Sequence, residues 1–176
     1  MIQKIKSNIW QFKFKKFSSH VYLIKLGEKN ILIDAGSFSA RDELLKYLKE
    51  LNIKPQQIDI ILITHNHWDH VENLNLFPNA KIYGNKKDFP ENKKIIDIAK
   101  LKIKEIRTIK TPGHSKESIC FYIPKEKILF SGDTLFHRGY IGRTDLPGGD
   151  QKEMEGSLNK LKKLDYEILC PGHGVE

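Results

Sequence analysis

The sequence predicts an α+β fold in which sheets pack together with helices outside. Strand-like segments outnumber helical ones, and the two kinds are interspersed along the chain. One run, residues 58–63, is continuously apolar, as in a strand buried on both faces. This pattern sets the class without fixing the topology.

Taken in order, the alternation Phe12-Lys13-Phe14-Lys15 and the apolar run Val21-Tyr22-Leu23-Ile24 read as strands. A third, over residues 30–34, leads into Ala35-Gly36. Residues 41–51 read as a helix, because Leu44, Leu45, Leu48 and Leu51 fall on one face. After the buried run, strands are expected over 81–83, 103–109, 119–123, 128–130 and 168–170, and a second helix over 151–164. No repeat, low-complexity stretch or linker interrupts the chain. Its 176 residues suit one domain over 1–176 and are short for two.

Composition narrows the setting. No apolar run approaches the roughly 20 residues needed to span a bilayer. The start, Met1 to Lys6, lacks the apolar core of a signal peptide, so the expected compartment is the cytoplasm, with no membrane partner. Cys120 and Cys170 lie far apart in apolar runs and read as small buried hydrophobes. The net charge of +8 comes from lysines scattered among glutamates, as at Lys46, Lys49 and Glu50. Such mixing suits a solvated surface, and no specific nucleic-acid partner is expected.

The chemistry concentrates after the buried run, in Thr64-His65-Asn66-His67-Trp68-Asp69-His70. Crowded imidazoles and carboxylates gain little unless something binds them together. Neutral imidazole and carboxylate are the ligands that zinc, iron and manganese accept. Three isolated candidates follow: His114 in Pro112-Gly113-His114, Asp133 in Gly132-Asp133-Thr134, and His173 in Pro171-Gly172-His173-Gly174. Each lies past an expected strand in a glycine-containing turn, the layout of a site built at strand ends.

In this order, the motif His-Xaa-His-Xaa-Asp-His, then Gly-His, Gly-Asp and Pro-Gly-His-Gly, resembles the metallo-β-lactamase superfamily. The stretches 132–136 and 141–150 are similar to glyoxalase II-like hydrolases and the related persulfide dioxygenases. The resemblance implies an αββα sandwich with a metal site at one edge between two sheets. It places His65, His67 and His114 on a first divalent ion and Asp69, His70 and His173 on a second, with Asp133 bridging both. Zinc is the foremost candidate, and iron or manganese also suit these ligands. Asp34-Ala35-Gly36 would support the site. His20 and His137 are expected at the surface or behind the ligands.

The implied reaction is hydrolysis of a small thioester by a hydroxide shared between the ions, with Asp69 orienting the water. Arg138, Tyr140 and Arg143 are candidates for gripping an anionic substrate, although Arg143 suits equally well as a partner for Asp145. Glyoxalase II enzymes carry a helical domain after the last metal histidine, whereas only Gly174, Val175 and Glu176 follow here. Another thiol or acyl carrier is therefore as well supported as glutathione. The alternative, a persulfide dioxygenase, would hold one iron on His65, His114 and Asp133.

Overall fold

The computed structural model describes residues 1–174; Val175 and Glu176, counted above among the residues after His173, lie outside the described residues. Strands β1 (Ile2–Lys6), β2 (Ile9–Phe12), β3 (Val21–Leu26) and β4 (Lys29–Ile33) form an antiparallel meander. Strands β5 (Ile60–Leu62), β6 (Lys81–Gly84) and β7 (Ile95–Asp97) then add in parallel beside β4, completing a seven-stranded sheet in sequence order. The second sheet has the order β11-β10-β9-β8, from β8 (Arg107–Lys110), β9 (Ile119–Ile123), β10 (Ile128–Gly132) and β11 (Ile168–Pro171). Within it, β10 and β11 are parallel.

The period-two alternation of strand side chains sorts residues into layers. Tyr22 and Ile24 of β3 and Ile31 and Ile33 of β4 face Ile119, Phe121, Ile128 and Phe130 of the second sheet. Their neighbours Val21, Leu23 and Leu32 point the other way, onto Leu44, Tyr47 and Leu48 of helix α1 (Arg41–Glu50). On the far side, Cys120, Tyr122 and Leu129 meet Leu161 of helix α3 (Gln151–Leu161). The result is four layers, α/β/β/α. Both cysteines are buried, in two different apolar clusters.

Each helix has its own local cause. In α1, Leu44, Tyr47 and Leu48 make one buried stripe, with Asp42 and Glu43 in the first turn and Lys49 in the last, matching the helix dipole. In α3, Asp150 caps the first turn by accepting from Glu153 N at 2.8 Å. Ser157 Oγ donates to Pro112 O at 2.7 Å, tying the helix to the turn before His114.

Several expected boundaries shift. The strand expected over 12–15 lies three residues earlier as β2, because Ile9–Phe12 is the stretch that pairs with β3. Residues 103–106 are a turn closed by Ile106 N to Ile103 O, so that strand begins only at Arg107. The run 58–63 forms ladder structure only over Ile60–Leu62. Helix α3 ends at Leu161, and residues to 164 form a closing turn. Strands β1 and β7, and the four-residue helix α2 (Trp68–Val71), were not expected. β1 and β7 are the outer strands of the first sheet, half-buried, where apolar patterning is weakest.

Gly113 is where scaffold and site meet. It has φ +141°, and a Cβ there would overlap the backbone of Met154 in α3. Gly113→Ala should therefore destabilise the protein by about 2–4 kcal/mol, combining overpacking with left-handed strain. Urea unfolding with an unchanged m-value checks it, and a loss below about 1 kcal/mol would mean that the helix moves aside freely.

Candidate metal centre

All seven expected ligands converge on one edge, where strands β5, β10 and β11 end. His65 lies three residues past the end of β5. His67 precedes α2, whose single turn carries Asp69 and His70 back towards His65. Asp133 follows β10 and His173 follows β11. His114 comes from the loop between β8 and β9. Three groups each lie with one ligand atom per residue within 4.8 Å: His65, His67 and His114; His65, His70 and Asp133; and Asp69, His70 and His173. Asp133 sits between the outer two sets, with Oδ2 3.5 Å from His114 Nε2 and 3.4 Å from His173 Nε2. Gly172 is required for this approach, because a Cβ there would overlap Asp133 Oδ1.

The hydrogen bonds behind the ligands fix which ring nitrogens face inward. Asp34 accepts from Thr64 N at 2.8 Å, from Thr64 Oγ1 at 2.8 Å and from His70 Nδ1 at 2.7 Å. The Thr64 hydroxyl spends its proton on Asp34, so it accepts from His65 Nδ1 at 3.1 Å. His114 Nδ1 donates to Arg143 O at 2.8 Å. Each of these three imidazoles therefore presents Nε2 to the cluster.

The inward atoms are under-satisfied. His65 Nε2, His70 Nε2 and Asp133 Oδ1 are buried without a hydrogen-bond partner. His70 Nε2 and Asp133 Oδ1 stand 3.4 Å apart but lack the alignment of a hydrogen bond. Charge partly compensates. Burial opposes protonation of His70, yet Asp133 and Asp34 outweigh it and raise that imidazole well above its ordinary range. His173 is pushed up to about 9, against burial, by hydrogen bonds to Asp133 and Asp69. Burial also works against the charge on Asp133 and Asp69, but both are lowered, Asp133 chiefly by His70 and Asp69 chiefly by His173. His65 and His67 shift down through burial and then through neighbouring imidazoles.

Other expected residues fall elsewhere. A cleft of about 810 Å³ opens over the cluster, and of the three expected substrate contacts only Arg143 lines it. Arg138 and Tyr140 are exposed and do not line the cleft, because the turn His137–Gly139 carries them outward, with Arg138 at φ +60°. Arg143 both lines the cleft and pairs with Asp145 through two hydrogen bonds, of 2.9 and 2.8 Å. His137 is exposed. His20 lies behind the site: its backbone N donates to Gly172 O, and burial holds its ring down to about 4. Sequence reasoning missed Gln11 and Tyr22. Gln11 Nε2 donates to His20 Nδ1 and Tyr22 Oη, and Tyr22 Oη donates to Pro171 O at 2.7 Å, bracing the turn before His173. Their signal was available, since a buried polar side chain inside an apolar strand needs a specific partner.

The sequence matches the family model of the metallo-beta-lactamase superfamily over residues 15–87 and 81–173. The chain belongs to that superfamily. A probable metallo-hydrolase of Methanocaldococcus jannaschii is 36% identical over 82% of this chain and 71% of its own length. A probable hydroxyacylglutathione hydrolase of Schizosaccharomyces pombe is 31% identical over 94% of this chain and 67% of its own. Among solved structures, a protein crystallised in a di-iron-bound form superposes with a TM-score of 0.76 at 29% identity, over 89% of this chain and 88% of that one. The four layers described above are thus the metallo-beta-lactamase fold, and the chain is a metallo-hydrolase of that superfamily. No helix among the described residues is long and apolar enough to cross a membrane.

Two expected outcomes follow from the supporting contacts. An asparagine at position 34 must turn its amide against at least one of three donors. Asp34→Asn should therefore cost about 2–3 kcal/mol of stability in urea unfolding. An equally stable variant would show that the carboxylate charge contributes nothing.

Asp88, whose carbonyl accepts from Asn66 Nδ2 at 2.8 Å, behaves oppositely. Burial and then nearby Glu117 raise its carboxyl to about 6, and its buried Oδ2 has no partner. A raised carboxyl favours the fold below its unfolded pKa, and that contribution is lost as pH climbs through about 6. Asp88→Asn should match the parent near pH 4 and exceed it at pH 8, by about 1 kcal/mol after discounting for partial exposure. A gain confined to acid pH would reverse the assignment.

Proposed function

We propose that the chain is a metal-dependent hydrolase of small thioesters, with a two-ion centre held by the seven convergent residues. The observation that carries this is the trio of buried, unpartnered atoms, His65 Nε2, His70 Nε2 and Asp133 Oδ1, at the middle of the cluster. Leaving such atoms unpaired costs about 1–3 kcal/mol each unless something else binds them. Two borderline donors and a carboxylate oxygen suit a divalent cation. His65, His67 and His114 would hold one ion and Asp69, His70 and His173 the other, with Asp133 shared. Zinc is the first candidate. The similarity to a protein known in a di-iron-bound form keeps iron as the main competitor.

When bound, such ions lower the pKa of water and offset charge building on a carbonyl oxygen. The chain's own groups do the positioning. Asp69, whose Oδ2 lies 3.0 Å from His173 Nε2, would accept a hydrogen bond from the attacking water and align its oxygen on the carbonyl carbon. A C–O bond forms, the C–S bond breaks, and the thiolate leaves with the proton that the water gives up. A thiolate is a good leaving group, so the site needs no dedicated acid. Kinship with a probable hydroxyacylglutathione hydrolase supports the thioester, and the aliphatic and aromatic cleft supports a small organic substrate.

His173→Ala tests both the centre and the reaction. Elemental analysis should fall from about two ions per chain towards one, with affinity for the second ion reduced at least about tenfold. Thioester kcat/KM should drop by about two orders of magnitude or more. His114→Ala should abolish turnover. A His173→Ala protein that retains one iron and consumes oxygen with a persulfide would establish the dioxygenase chemistry instead.

A further inference from the structure

We infer that the site selects a thioester whose group next to the scissile bond is uncharged and apolar, held on a wall of Phe17, Trp68, Phe136, Ile141, Leu146 and Pro147. The inference rests on the thioester reading and names its substrate class.

The first argument is what the cleft lacks. Among the described residues, and apart from the cluster residues, Arg143 is the only charged side chain lining it. Its guanidinium already pairs with Asp145 at 2.9 and 2.8 Å in an exposed pair, so an anionic substrate would compete there with a carboxylate of the chain itself. A charged substituent seated against the apolar wall loses water, and outside the cluster the described residues offer it no unpaired counter-charge.

The second argument is what the cleft displays. Phe17 is 67% exposed and Trp68 53% exposed, and their rings pair at 5.6 Å. Phe17 also stacks on His173 at 5.6 Å, and Phe136 meets the same imidazole edge-on at 6.2 Å. Uncovered aromatic surface therefore starts at the cluster and runs outward without a break. Such a patch beside a reaction centre marks a binding surface.

The wall is also preformed. Phe17 O accepts from Ser37 Oγ at 2.7 Å and from Ser39 Oγ at 3.1 Å, which holds its loop down. Trp68 opens helix α2, between His67 and Asp69. Ile141, Leu146 and Pro147 flank Arg143, whose carbonyl is fixed by His114. A rigid apolar wall gains affinity with little ordering cost. The volume, about 810 Å³, falls within the range of small-ligand sites.

The experiment uses the metal-loaded protein and two thioester series. One varies the acyl group (acetyl, butyryl, hexanoyl, phenylacetyl, succinyl) on N-acetylcysteamine. The other varies the thiol (ethanethiol, hexanethiol, 3-mercaptopropionate) on acetate. In one series kcat/KM should rise about fourfold per methylene until the wall is covered, with the charged member lowest. The series that responds tells whether the wall holds the acyl or the thiol side. Leu146→Ala and Phe136→Ala should flatten that slope. Flat slopes in both series, or preference for the charged members, would overturn the inference while leaving thioester hydrolysis intact.

A binding measurement separates the two readings. Trp10→Phe leaves Trp68 as the single indole of the two in the chain. Its fluorescence can follow binding of inert thioethers, S-hexyl against S-carboxyethyl N-acetylcysteamine. If no thioester is hydrolysed, the proposed reaction fails, yet about tenfold tighter binding of the hexyl compound still upholds the apolar wall. Equal or weaker binding of the hexyl compound overturns it.

Discussion

The carboxylate of Asp34 is the point on which the rest of the site depends. It sits just past β4 at φ +59°, a conformation that side chains other than glycine rarely adopt. Holding it there are three donors, two from Thr64 and one from His70. Through Thr64 it reaches the end of β5, and through His70 it reaches the helical turn beyond. One buried charge thus fixes the register between adjacent parallel strands and the ring orientation of His70. By taking the hydroxyl proton of Thr64, it also sets the tautomer of His65. Two segments far apart in sequence, residue 34 and residues 64–70, become one rigid unit before any ligand arrives.

That unit is costly in isolation. Two carboxylates and five imidazoles crowd an edge where His65 and His70 are almost fully buried. Opposite shifts relieve part of the cost: His70 and His173 are raised and Asp133 and Asp69 lowered, so charges of opposite sign alternate through the cluster. What remains is carried by the apolar layers on either side, where Tyr22, Phe121 and Phe130 close the space between the sheets directly beneath. The scaffold and the site are therefore coupled, and the polar bracing by Gln11 and Tyr22 lies at their boundary.

The ligand cluster was legible in the sequence because four candidates fall within six positions and the other three follow glycine in tight turns. The α+β class was legible because β3, β4, β5, β9 and β10 are dense apolar runs, while the four-layer order was implied only by the resemblance of the ligand motifs to the superfamily. The edge strands β1 and β7 were not, because their half-buried residues alternate too weakly to be told from loops. Tyr22 escaped notice because its partner Pro171, 149 residues away, cannot be inferred from spacing, and Gln11 because its contacts to His20 and Tyr22 depend on how β2 and β3 pair. Arg138 and Tyr140 misled for the opposite reason. Proximity to Asp133 in sequence suggested proximity in space, but the turn at His137–Gly139 reverses the chain and takes both outward.

Arg143 shows how the loop beyond Asp133 divides its labour. Its carbonyl serves the chemistry, by holding His114 Nδ1, while its guanidinium is neutralised by a neighbour two residues on. The contact that orients His114 is therefore made by backbone without the Arg143 side chain, although Gly142 beside it is required, because a Cβ there would overlap Asp133 O and crowd His114 Nδ1. Ile141, Leu146 and Pro147 can shape the cleft without disturbing the imidazole that the same loop positions. Their apolar surface has a second physical consequence: a substrate seated on it excludes water from the mouth of the cluster and lowers the local dielectric. Every electrostatic contact to the reacting carbonyl is strengthened by that exclusion. Under the proposed reaction, selectivity and reactivity would share one wall, part of which rises from the same loop whose backbone holds His114.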